Sequence, residues 1–400
     1  MANTTLRVLR YRKVRWLYLA GFIAYLQLNF FLYVNSNFVG DIIGERGVGL
    51  IYIAGALLSI IAFVGASHVL REIGNYRALV LFTALQIAIL FGIVVSSNPL
   101  VVLLLDVLLL ALEPAIFFSL DIFLENYSHP AHGEDDRTGG VRGLYLGITN
   151  MAFVTGPFLM GAVVGPDENF KSAYVISAFL LILFLATIAL RFRNFVDPPY
   201  QTIGVRGIAP VFRTLFRSRD LTGVFGAQLF LRLYYAWSVV YIPLYLHAHL
   251  GFSWLVIGVM LTLTTIPYVI FEIPLGRIAD KYLGEKELMI FGFVILSGSI
   301  AAISYVSTPS VLIWSLILFL GSTGGSIIEV TTESYFFKKI DSSHAHILTL
   351  FRTIQPTATV VGILLGSALL FVLPLQYTFI IIGAIVLFGV GFALTLRDTR

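Results

Sequence analysis

Long apolar stretches follow one another along the chain, separated by short polar segments. Apolar residues are continuous within each stretch and do not alternate with polar ones, so the pattern predicts helices and not the strands of a barrel. An α-helix needs about 20 apolar residues to cross the roughly 30 Å of hydrocarbon in a bilayer. We predict twelve membrane-spanning helices, at residues 16–36, 48–69, 78–96, 99–122, 143–165, 172–192, 222–246, 254–276, 288–306, 309–332, 346–371 and 376–396.

The composition agrees with a membrane protein and narrows its chemistry. Hydrophobic residues make up 58% of the chain and charged residues 12%, whereas soluble domains contain about 25% charged residues. Cysteine is absent, which excludes disulfides and thiolate ligands. No glycine-rich phosphate loop is present, so ATP is not expected to be the energy source. We expect no cofactor, no metal site and no enzymatic activity.

Basic residues predict the orientation of the chain. If the N-terminus is inside, 22 of the 26 lysines and arginines fall in inside segments, against Arg46 and Lys171 outside. Positive charges mark the side of a membrane protein that is not translocated. Both termini are therefore predicted to be cytoplasmic, in a multi-pass protein of the cell membrane, for a bacterium the inner membrane. The net charge of +4 then reflects topology, and no nucleic-acid partner is expected.

Two halves of the chain share a pattern. An acid, a second acid and a tyrosine occur at the same spacing at the ends of the fourth and tenth predicted helices, as Asp121, Glu125, Tyr127 and Glu329, Glu333, Tyr335. The helices that follow, 144–156 and 350–362, also align, and Gly74 aligns with Gly284. The pattern predicts a parallel duplication: a six-helix bundle at 1–192, a second at 222–400, and a cytoplasmic linker at 193–221 with a basic amphipathic helix.

One loop supplies a family resemblance. After the eighth predicted helix the chain reads Gly276-Arg277-Ile278-Ala279-Asp280-Lys281-Tyr282-Leu283-Gly284. Combined with six plus six helices, this Gly-x-x-x-Asp-Lys-x-x-Gly loop resembles the major facilitator superfamily over the whole chain. The resemblance implies an all-α transporter with two pseudo-symmetric bundles that work by rocker-switch alternating access. In the first half Leu70 replaces the aspartate.

The resemblance also implies a conformational latch, in which charged side chains at the helix ends hold opposite halves together. A carboxylate near a helix N-terminus is stabilised by the free N–H groups there, so such a contact can form and release. We expect Arg277 to reach Glu333, and Arg352 to hold Glu329 or Glu333. The latch candidates are Asp280, Arg277, Glu333, Arg352, Glu329 and Arg71.

The fifth predicted helix resembles that of proton-driven drug antiporters in the same superfamily. Their pattern is Gly-x8-Gly-x3-Gly-Pro-x2-Gly-Gly, and four of its six positions are matched here, by Gly143, Gly156, Pro157 and Gly161. Small residues let helices approach closely and proline bends a helix, which would suit a surface that slides between the halves. Ordinary close packing of helices is the alternative interpretation.

Four ionisable residues lie away from the helix ends, at Asp106, Glu113, Asp121 and Arg232. Ionisable groups inside a membrane are costly and are functional by default. We expect Glu113 and Arg232 to pair in a central cavity, with Asp106 nearly on the same helix face as Glu113, and to couple proton binding to conformation. A static buried ion pair is the alternative.

In the superfamily, helices 1, 4, 7 and 10 line the substrate cavity. The resemblance therefore gives as candidate substrate contacts Gln27, Asn29, Tyr234, Tyr235 and Trp237. Gln355 of the eleventh predicted helix is a further candidate, because it lies at about the same depth in the membrane. Aromatic faces suit flat apolar or cationic ligands, and the acids of the fourth helix favour cations.

The sequence thus predicts proton-coupled efflux of lipophilic or cationic compounds by a monomer whose partners are its substrate, protons and the bilayer. Two alternatives remain open. The first is a proton symporter or facilitator that imports a polar nutrient such as a sugar. The second is a membrane enzyme or a transporter-like scaffold.

Overall fold

The computed structural model describes residues 2–128, 138–197, 218–271, 274–275, 278, 284–339 and 345–397. Within these ranges the regular elements are helices, and no strand is found. They are α1 (Ala2–Leu32), α2 (Asn35–Ile43), α3 (Glu45–Ile73), α4 (Asn75–Val95), α5 (Pro99–Ser128), α6 (Thr138–Val164), α7 (Phe170–Arg191), α8 (Arg219–Ala248), α9 (Trp254–Ile270), α10 (Glu285–Ile303), α11 (Val311–Lys339), α12 (Ala345–Val372) and α13 (Leu375–Thr395).

The apolar stretches form helices of membrane-spanning length. Ten helical segments in the described ranges are long and apolar enough to cross a bilayer, and they coincide with ten of the twelve predicted spans. At the other two places the apolar helical segments are shorter, Trp254–Ile270 and Thr357–Val372. The prediction of an all-helical, multi-pass membrane protein is confirmed, while the count of twelve and the cytoplasmic termini stay predictions.

The chain divides into two compact units. The N-terminal unit comprises residues 1–42 and 50–202, and the C-terminal unit comprises 43–49 and 203–400. In the N-terminal unit, α1 packs against α5, α6 and α7, and α4 packs against α5 and α7. In the C-terminal unit, α8 packs against α11, α12 and α13, and α10 packs against α11 and α13. Most of the predicted linker, at 198–217, lies outside the described residues.

The helix pairings of one unit thus recur in the other, and single residues follow the same rule. Gly74 precedes α4 and Gly284 precedes α10, each as the residue that caps the helix N-terminus. A Cβ atom on Gly156 of α6 would lie 2.5 Å from Asn29 Cβ of α1. A Cβ on Gly362 of α12 would lie 2.9 Å from the carbonyl oxygen of Leu233 of α8. Each glycine therefore allows its helix to approach the first helix of its own unit.

This contact concerns the expectation for the fifth predicted helix at one position, Gly156, and the role of the whole pattern stays a prediction. Gly143, Gly156, Pro157 and Gly161 all lie on α6. We expected the pattern to form a sliding surface between the halves, but Gly156 faces Asn29 within the N-terminal unit. The physical reason is steric, because only a residue without Cβ fits between two helix backbones at this distance. Close packing within one unit, the alternative interpretation, accounts for Gly156.

Replacing Gly156 by alanine is expected to lower stability by about 1–3 kcal/mol, since the new methyl group overlaps Asn29. Gly147→Ala is the matched control, because it lies on the same helix with no atom within 4 Å of its added Cβ. Thermal unfolding in detergent would compare the two variants. Equal unfolding temperatures for both would contradict the packing role of Gly156.

Candidate functional site

A buried carboxylate lies at the centre of the N-terminal unit. Glu113 of α5 is 8% exposed, and its two oxygens accept hydrogen bonds from two glutamine side chains. The donor to Oε1 is Gln27 Nε2 of α1 at 2.8 Å, and the donor to Oε2 is Gln86 Nε2 of α4. Ser177 Oγ of α7 donates to Gln27 Oε1 at 2.8 Å. We call these four residues the Glu113 network, and they connect four helices.

The partners of Glu113 are neutral. Among the residues that the structure describes, no lysine, arginine or histidine forms an ion pair with it. An ionised group at the centre of a membrane helix costs about 2.5–3.5 kcal/mol on insertion scales. Hydrogen bonds from amides offset part of this cost, yet they supply no counter-charge. A carboxyl group in this setting is suited to take up and release a proton.

A second buried acid lies two helical turns away. Asp106 is fully buried and precedes Glu113 by seven residues of α5, a rise of about 10 Å. Its Oδ2 accepts a hydrogen bond from Asn35 Nδ2 at 3.2 Å. Tyr174 OH donates to Asn35 Oδ1 at 2.5 Å, and Asn35 Nδ2 also donates to Tyr52 OH at 3.2 Å. The Asp106 carboxylate, like that of Glu113, accepts a hydrogen bond from an amide side chain of the N-terminal unit.

The C-terminal unit contains an ion pair of its own. Arg232 Nη2 of α8 lies 2.7 Å from Glu329 Oε1 of α11, with side-chain exposures of 17% and 26%. Tyr235 OH donates to Glu329 Oε2 at 3.0 Å. With its amide oxygen turned toward the guanidinium, Gln228 accepts from Arg232 Nε at 3.0 Å. We call these four residues the Arg232–Glu329 cluster.

Glu113 and Arg232 lie in different units, and each has partners within its own unit, so their predicted pairing stays a prediction. Arg232 pairs with Glu329, because packing of α8 on α11 places both side chains in the C-terminal unit. Glu113 is instead held by Gln27 and Gln86 of its own unit. Glu329 thus has Arg232 as its cation, and the expectation that Arg352 holds Glu329 or Glu333 stays a prediction.

The structure describes only some of the other latch candidates. Arg277, Asp280 and the side chain of Arg352 lie outside the described residues. Glu333 is exposed on α11, and Arg71 is exposed at the end of α3 with Nη2 3.4 Å from His68 Nδ1. A latch role for these residues stays a prediction.

Of the candidate substrate contacts, Tyr235 belongs to the Arg232–Glu329 cluster. Gln27 is bound to Glu113 and fully buried, and Asn29 is buried against Gly156. Trp237 is also fully buried, with its ring 4.8 Å from that of Phe379. The side chains of all three residues are buried, and the substrate role that we expected for them stays a prediction. Tyr234 is 7% exposed, and Gln355 is exposed on α12.

Two glutamines were missing from the sequence prediction. Gln86 and Gln228 each contact the charged group of their unit. A weak signal was present, because each is a polar amide within an apolar stretch. An amide carries no charge, and it was therefore not among the residues singled out.

Comparisons with known proteins agree with this architecture. The family model of the Major Facilitator Superfamily matches residues 132–345 and 224–400, together more than half of the chain. None of the curated proteins compared with the chain matches it in sequence.

Solved structures give the same result for the fold. A mutant form of the nucleoside transporter NupG has a TM-score of 0.75 at 10% identity, with 96% of this chain and 100% of that chain covered. A mutant form of the peptide transporter POT in complex with sulfate has a TM-score of 0.75 at 15% identity, with 95% and 93% covered. The POT family transporter PepTSo has a TM-score of 0.74 at 10% identity, with 96% and 97% covered. From its sequence match and its helical architecture, the chain belongs to the Major Facilitator Superfamily of membrane transporters.

Proposed function

We propose that the protein is a proton-coupled secondary transporter of a small polar molecule, with Glu113 as the proton carrier. The observation that carries this proposal is the hydrogen bonding of a buried carboxylate by neutral amides from two other helices. A carboxylate without a counter-charge gains stability in the membrane when it binds a proton. Asp106 lies on the same helix about 10 Å away and would serve as a second proton-binding group on this path.

The Arg232–Glu329 cluster supports a polar substrate. Its guanidinium and carboxylate present hydrogen-bond donors and acceptors side by side, and both side chains are partly exposed. A ligand with donors and acceptors of its own, such as a nucleoside or a short peptide, can bond to both groups without leaving either charge unpaired. The structural neighbours NupG and POT are a nucleoside transporter and a peptide transporter, which is consistent with this class.

Efflux of lipophilic cations is the second candidate. The helix pattern at Gly143, Gly156, Pro157 and Gly161 favours it, as do the aromatic rings of Tyr235 and Tyr268, whose centroids are 6.0 Å apart. Against it, the carboxylate of Glu329 is already neutralised by Arg232. A lipophilic cation would have to displace the Arg232 guanidinium in order to pair with the Glu329 carboxylate.

Purified protein in liposomes with an interior pH dye would test the proposal. Nucleosides, dipeptides, sugars and lipophilic cations are added in turn under an imposed proton gradient, with protein-free liposomes as the control. We expect proton movement with a nucleoside or a dipeptide. Proton movement with lipophilic cations alone would replace the polar substrate by the second candidate. Transport of a substrate without any proton movement would contradict proton coupling.

A further inference from the structure

An open apolar groove lies on the N-terminal unit between the middle of α1 and the end of α7. Its volume is about 350 Å³, and its walls include Leu19 and Ile23 of α1 and Leu183 and Leu190 of α7. Ligand pockets usually occupy roughly 300–1,000 Å³. Leu190 is 77% exposed, so the apolar surface is open along one side. In a bilayer such a surface is covered by hydrocarbon.

One end of this groove is cationic and aromatic. Arg191 is the last residue of α7, and its guanidinium carbon lies 4.1 Å from the ring centroid of Trp16. Both residues line the groove, at the start of the Lys13–Ile43 span and the end of the Phe170–Arg191 span. Tryptophan is enriched at the membrane interface, where lipid headgroups begin. The groove therefore runs from the headgroup level into the hydrocarbon.

Arg191 has N–H donors that its contact with Trp16 does not use. A guanidinium carries five N–H donors, and its stacking on Trp16 uses none of them. In the part of the chain that the structure describes, Arg191 forms no ion pair with a carboxylate. A phosphate oxygen is a preferred acceptor for a guanidinium, since the pair is charge-assisted and bidentate.

We propose that this groove binds an anionic phospholipid, with the phosphate at Arg191 and an acyl chain along Leu19, Ile23, Leu183 and Leu190. Charge complementarity selects the headgroup, and the apolar walls select the chain. The ligand does not depend on the transported substrate or on the role of Glu113. A lipid held here would contact α1, which carries Gln27 of the Glu113 network, and α7, which carries Ser177.

Tryptophan fluorescence gives a direct test, because the four tryptophans differ in exposure. Trp237, Trp254 and Trp314 are at most 1% exposed, whereas Trp16 lines the groove. The protein is reconstituted with brominated phosphatidylglycerol or brominated phosphatidylcholine at equal mole fraction, since bromine quenches tryptophan on contact. The difference in fluorescence between the wild type and Trp16→Phe gives the contribution of Trp16.

We expect phosphatidylglycerol to quench Trp16 more strongly, with about a fivefold enrichment of this lipid, as one arginine near an anionic lipid surface provides. Arg191→Gln should reduce the quenching to the phosphatidylcholine level. Arg193→Gln, an exposed arginine outside the groove, should leave it unchanged. Equal quenching of the wild type by both lipids would overturn the proposal, as would an equal loss in the two arginine variants.

Discussion

Replacing Glu113 by glutamine is expected to abolish proton-driven accumulation of substrate. With one proton per substrate, each unit of pH difference drives about a tenfold concentration ratio at equilibrium. A glutamine keeps the size of the side chain and can still bond to Gln27 and Gln86, but it cannot release a proton. Accumulation in liposomes should then follow the substrate gradient alone, whereas exchange of labelled for unlabelled substrate should continue.

The exposed Glu125 on the same helix provides the matched control. Glu125→Gln removes the same charge by the same change, and we expect gradient-driven accumulation to persist. Full accumulation by Glu113→Gln would exclude this residue as the proton carrier. Loss of both accumulation and exchange would instead indicate that Glu113 is needed for the fold or for the conformational change.

Breaking the Arg232–Glu329 pair is expected to affect stability and substrate binding in separable ways. Arg232→Gln leaves Glu329 without its cation. Removal of one partner costs about 3–5 kcal/mol for a fully buried pair, and partial exposure lowers our expected loss to about 2 kcal/mol. Side-chain exposures of 17% and 26% let water screen the remaining charge. Thermal unfolding would measure the loss.

The double variant Arg232→Gln with Glu329→Gln distinguishes the two roles. The double variant has no unpaired charge at this site, and its two amides can bond to each other. Its unfolding temperature should therefore return close to that of the wild type. Substrate binding, measured by displacement of a labelled substrate in detergent, should remain lost if the charges hold the substrate. Recovery of both properties in the double variant would reduce the pair to a structural contact.

The sequence predicted the location of the charged groups better than their partners. Asp106, Glu113 and Arg232 stand out because each interrupts an apolar stretch, and this signal is local. Pairing depends on which helices pack together and on their rotation, and a single helix carries no information on either. Arg232 of α8 meets Glu329 of α11, which is 97 residues away in the chain.

The sequence repeat also predicted an equivalence between positions in the tertiary structure. Gly156 and Gly362 were aligned by their sequence spacing, and each contacts the first helix of its own unit. The spacing revealed the equivalence of the two sites but did not show which surface each glycine faces. Glutamine partners were harder to predict, since an amide in an apolar stretch has no charge and can bond to many groups.

The orientation of one amide has a spectroscopic consequence. Within the described residues, Gln86 Oε1 is buried without a hydrogen-bond partner, while its Nε2 donates to Glu113. When Glu113 is protonated its hydroxyl needs an acceptor, and a half-turn of the Gln86 amide supplies one without any movement of α4 or α5. Proton uptake would then appear in an infrared difference spectrum as a shifted glutamine carbonyl band, with the helical backbone bands unchanged. Labelling glutamine with ¹³C at the side-chain carbonyl would assign the band, and Gln86→Leu would remove it.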